Sequence, residues 1–93
     1  MNDREKLALT LKEHFELLGY DVEFYEINDD YNLYITDETC RFERRVEFSA
    51  VSLDYGGMFV LVQCKGEPDY ELNGPVSTSD LESLTQHIEY LLM

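Results

Sequence analysis

The chain has 93 residues, a net charge of −13 and an apolar fraction of 44%, with five Phe and seven Tyr. That length holds one domain and no second core, and the apolar content lies far above the disordered regime. The charge argues against direct binding to nucleic acid or to an anionic membrane, both of which call for clustered Lys and Arg.

Residues 4–18, REKLALTLKEHFELL, predict an amphipathic helix in which Leu7, Leu11, His14, Phe15 and Leu18 recur on one stripe. Asn2 and Glu5 have capping-box spacing, and Gly19 stands where a left-handed C-terminal cap is needed. DVEFYEI (21–27) and NLYIT (32–36) alternate as strands, and the intervening NDDY predicts a hairpin turn. RRVEFSAVSL (44–53) changes phase midway. Val46, Phe48 and Ala50 share one face and Val51 and Leu53 the other, so a β-bulge near Ser49–Ala50 is expected to restore a common face.

DYGG (54–57) supplies the next turn, because two glycines permit positive φ. MFVLVQC (58–64) is apolar on both faces and reads as a central strand, covered on both sides or covered on one and dimerised on the other. In KGEPDYELNG (65–74) and the following Pro75, two prolines and two glycines mark irregular or edge-strand chain. SDLESLTQHIEYLLM (79–93) predicts a second helix. Ser79 and Glu82 have capping-box spacing, and Leu81, Leu84, Ile88, Leu91 and Leu92 form its apolar stripe.

The order α-β-β-β-β-α therefore predicts a single α+β domain over 1–93. Its expected form is a four-stranded antiparallel meander with both terminal helices packed on one face. Folding should bury roughly 60–65% of the unfolded surface, leaving a stability on the order of 5 kcal/mol.

No motif for chemistry stands up to its own geometry. The stretch from Asp30 to Tyr34 begins like a calcium loop, but the sixth position is Ile35 and the twelfth is Arg41, where Gly and a bidentate Glu are required. His14 and His87 lie on opposite terminal helices and read as structural histidines, so no metal site is expected. Cys64 ends an apolar strand, where a thiol packs as a small hydrophobe, and no base is spaced to activate Cys40 beside Arg41. No GK[ST] follows the turn glycines. The expectation is a protein that is not an enzyme and carries no cofactor.

MNDREKLALT has no continuous apolar run of the signal-peptide kind, and Met58–Val62 is far short of the ~20 residues of a membrane span. With two cysteines outside any CxxC spacing, this predicts a cytoplasmic protein with reduced thiols, a Cys40–Cys64 bridge being the alternative.

The distribution of charge is the informative feature. Residues 13–40 hold nine acids and no Lys or Arg; residues 66–93 hold six acids and again no Lys or Arg. Arg41, Arg44 and Arg45 form the one basic cluster, interrupted by Glu43, and are expected to pair with the protein's own acids. Glu67, Asp69 and Glu71 fall on alternate positions, so in extended chain they would project together about 6.5 Å apart. Asp21 and Glu23 repeat that spacing, with Glu26 beyond them. Asp29, Asp30, Asp37 and Glu38 add acids at strand ends, and Tyr25, Tyr31, Tyr34 and Tyr70 are interleaved.

Carboxylates in such a rhythm imitate a nucleic-acid backbone and would attract a groove of Arg and Lys. The expected partner surface is accordingly Asp21, Glu23, Glu26, Asp29, Asp30, Asp37, Glu38, Glu67, Asp69, Tyr70 and Glu71. The expected function is a small acidic protein-binding module, a stoichiometric inhibitor of the kind phages deploy. It would occupy the groove of a basic, nucleic-acid-binding protein. The alternative is a homodimeric acidic chaperone or scaffold for an apolar peptide, suggested by Leu9 and Leu17 off the helical stripe and by Phe59 and Leu61 on the second sheet face. Acidic edges also deter aggregation and keep a protein soluble, which needs no partner at all.

Overall fold

The first helix lies within one residue of its expected 4–18 at each end. In the computed structural model, which describes residues 2–37, 44–53 and 57–93, Glu5 N donates to the Asn2 side chain at 2.8 Å and caps α1 (Asp3–Leu17). Its C-terminus closes as a Schellman motif. Gly19 takes φ +94°, its N–H reaches Glu16 O, the Tyr20 N–H reaches Phe15 O, and the Phe15 and Tyr20 rings pack 5.9 Å apart. Leu7, Ala8, Leu11 and Phe15 are buried. Leu18, expected on that stripe, is the C-cap residue and is exposed, because the helix ends before its side chain can turn inward.

Five strands follow: β1 (Asp21–Ile27), β2 (Asp30–Asp37), β3 (Arg44–Ser52), β4 (Met58–Cys64) and β5 (Tyr70–Asn73). They form an antiparallel sheet in the order β1-β2-β3-β4-β5. The β1–β2 turn is a two-residue Asn28-Asp29 loop with φ 50° and 67°, the primed geometry that matches strand twist. The segment expected to be irregular or an edge strand contributes the fifth strand. It is only four residues long, because the turn at Gly66 (φ +86°) and Pro68 delay pairing until Tyr70. The fold is therefore α+β as expected, with five strands rather than four.

The expected bulge is absent from the described pairing. β3 keeps unbroken register with β2 from Tyr31↔Ala50 to Asp37↔Arg44, and with β4 from Val46↔Cys64 to Ser52↔Met58. Val51 thus stays on the face opposite Val46, Phe48 and Ala50, Leu53 lies beyond the end of β3, and the phase change in the sequence is a real distribution of apolar residues over both faces.

α2 (Thr78–Leu92) begins two residues earlier than Ser79 would cap it. Ser77 and Asp80 form the capping box, the Asp80 N–H donating to Ser77 Oγ and the Ser77 N–H to the Asp80 carboxylate, both at 3.1 Å. The shorter Asp replaces the Glu82 expected at that position, and Leu84, Ile88, Leu91 and Leu92 are buried. No Lys, Arg or His lies in its last turn; Arg44 of β3 supplies the missing cation, its Nη1 donating to Leu91 O at 3.0 Å.

Both helices lie on one face of the sheet. Their buried residues join Leu33, Ile35, Val46, Phe48, Val60 and Val62 in one core. His14 Nε2 and Glu89 Oε1, 2.9 Å apart, link the two helices. The His87 ring stacks on Tyr70 at 4.5 Å, so both histidines serve the packing of α2. Among the described residues no helix is long and apolar enough to cross a membrane, and no group of three or more His, Cys, Asp and Glu is placed to hold a metal.

Candidate functional site

The period of two along each strand sends half of the sheet's side chains away from the helices, onto an open face. Strand register arranges them in rows. Ile27, Asp30, Val51, Phe59 and Asn73 form one row at the end carrying the β1–β2 turn. Tyr25, Asn32, Ser49, Leu61 and Glu71 form the next, and Glu23, Tyr34, Glu47 and Gln63 the third. Asp21, Thr36 and Arg45 lie beyond them. The open face is apolar at one end and acidic at the other.

Several of its polar groups bond to one another. Ser49 Oγ donates to Asn32 Oδ1 at 2.8 Å, and Asp30 accepts from the Ser52 N–H at 3.3 Å. The Tyr25 hydroxyl donates to Glu23 Oε2 at 2.8 Å. That hydrogen bond and the charge of Glu23 hold the Tyr25 phenol above its ordinary pKa, because ionising it would set two negative charges together. Tyr25 packs against Tyr34 at 5.4 Å, and Arg45 lies 4.1 Å over the Tyr34 ring.

Arg44 binds a helix carbonyl and Arg45 an aromatic face, while Arg41 lies outside the described residues. The ion pairs among the described residues are Lys12–Glu16 at 2.7 Å and His14–Glu89, both on the helices. Glu47 and Glu71, exposed on the open face, belong to neither.

The anticipated partner surface is spread over several places. Asp21 and Glu23 project from β1, Asp30 from the start of β2, and Glu71 from β5 at the opposite sheet edge, roughly 19 Å away at ~4.8 Å per strand. Glu26 points to the helix side, opposite Tyr31, and Asp29 sits in the turn, its carbonyl accepting from Arg4 Nε. Asp37 ends β2. Glu67 and Asp69 precede β5 and line a shallow groove with Arg44, Arg45, Glu47 and Lys65. Tyr70 faces the helices, against His87. Glu38, like Cys40, lies outside the described residues.

Sequence reasoning passed over Glu47, which register places opposite both Tyr34 and Gln63 in the centre of the acidic row. The signal was present in the alternation of Val46, Glu47 and Phe48, ahead of the expected bulge. No family model, curated protein or solved structure matches this chain.

Proposed function

We propose that the protein is a small acidic binding module that engages a basic, nucleic-acid-binding protein and inhibits it by occupying its groove. One observation carries this reading: the open sheet face presents exposed Glu47 and Glu71, while the nearby Arg44 and Arg45 bind a carbonyl and a ring. Carboxylates that join no ion pair among the described residues keep an attraction for Arg and Lys on another molecule. The function is binding, with no catalytic step and no cofactor.

The test is a pull-down from the native host at low salt with nuclease present, followed by competition with duplex DNA. The expected partner is basic, is displaced by DNA, and is bound far more weakly at 500 mM than at 50 mM salt, as the Debye length shrinks from about 14 to about 4 Å. Association indifferent to both salt and DNA contradicts the reading.

A second reading rests on Phe59 and Leu61, half-buried apolar residues of β4 on the face away from the helices. A homodimer through this face, acting as a scaffold for an apolar peptide, would account for them. Sedimentation decides: a monomer at all concentrations eliminates it.

A further inference from the structure

We infer that the partner segment is a basic amphipathic helix laid across the strands of the open face; this rests on the binding-module reading and specifies its contact. The apolar side chains come first. Ile27, Val51 and Phe59 share one row and Leu61 lies in the next, with Val51 and Phe59 directly opposite each other. Ser49 and Asn32, in the row of Leu61, bond to one another, and Asp30, which stands between Ile27 and Val51, accepts from the Ser52 N–H. A surface of this kind gains by excluding water.

Size selects the shape of the occupant. Five strands at ~4.8 Å span roughly 19 Å, and two adjacent rows lie roughly 7 Å apart. An α-helix is about 10 Å wide and needs only about 13 residues to cover 19 Å.

Charge selects its chemistry. Glu23 and Glu47 border the apolar rows along one side, and Glu71 closes the β5 end. A helix seated on Val51, Phe59 and Leu61 would bring Lys or Arg on its flank to these carboxylates. A second copy of this chain would instead set acid against acid, since Asp21, Glu23, Asp30, Glu47 and Glu71 share the face with Arg45 alone among the described cations of β1–β5 that register places there. The occupant is therefore a basic helix and not another protomer.

The probe is a 14-residue Leu/Lys peptide with its leucines on one helical stripe, compared with an isomer of identical composition whose leucines are scattered. Backbone amide shifts of the full chain are followed by NMR at 50 mM salt. The expected changes centre on β3, β4 and β5, with the striped peptide binding at least about tenfold tighter than the isomer. Leu61→Asn, with its melting transition checked, should lose about tenfold, and Glu47→Gln a smaller factor. Equal affinity for the two peptides, shifts confined to α1 and α2, or self-association that masks the face overturns the docking inference while leaving the acidic-module reading in place. No binding of either peptide at 50 mM salt overturns both.

Discussion

The two faces of the sheet differ in almost everything except the backbone they share. On the covered face Leu33, Phe48 and Val62 form a row at 0% exposure, one residue out of phase with Tyr34, Glu47 and Gln63 on the open face. The first row excludes water and holds the helices. The second holds charge in solvent, with Tyr25 and Tyr34 spanning the gap between β1 and Arg45. Side-chain parity alone separates a structural surface from a candidate binding surface. A one-residue slip in register would exchange them.

This contrast can be broken most severely at Phe48. Phe48→Ala removes a fully buried ring from the centre of β3 and should cost about 3–5 kcal/mol, comparable with the whole stability expected of a domain this size. Urea titration should find the variant largely unfolded. Phe59→Ala deletes the same side chain from the open face, where it is only half-buried, and should cost less, about 2 kcal/mol by the same titration. Comparable losses at the two positions would mean that the open face is covered.

The smallest expected effect sharpens the open face itself. Tyr25 donates to Glu23, so its phenol should ionise later than an ordinary tyrosine on ultraviolet titration, and Glu23→Gln should bring it back down. The sign follows from linkage. A folded-state pKa above the unfolded value means that the hydrogen bond stabilises the fold fully below pH ~10, and that this contribution is lost as pH rises through the folded pKa.

Much of this architecture was legible in the sequence, and the failures have physical causes. The helical stripes, the hairpin at Asn28-Asp29 and the glycine cap at Gly19 follow from local backbone preferences, which act within a few residues. Whether Val51 and Leu53 rejoin the face of Val46 depends on hydrogen bonds to β2 and β4, and no local preference encodes those. The cap of α2 at Ser77 was displaced by two residues because Ser77, Thr78 and Ser79 are all competent caps, and Asp80 decides between them by bonding back. The acidic surface was the least legible part. Charge spacing along the chain predicts a ridge, but strand order places Glu23 and Glu71 on opposite edges and brings in Glu47 from between. Pro68 and Gly66 kept Glu67 and Asp69 out of the strand that would have aligned them with Glu71.

The most direct measurement compares two double charge reversals of equal size on the affinity for a captured basic partner at 150 mM salt. Glu47→Lys with Glu71→Lys alters the open face, whereas Glu13→Lys with Glu82→Lys alters exposed positions on the helices. If the open face makes the contact, the first pair should weaken binding about a hundredfold and the second by less than about threefold. Equal losses would mean that net charge alone draws the partner, and that the sheet face has no special part in binding.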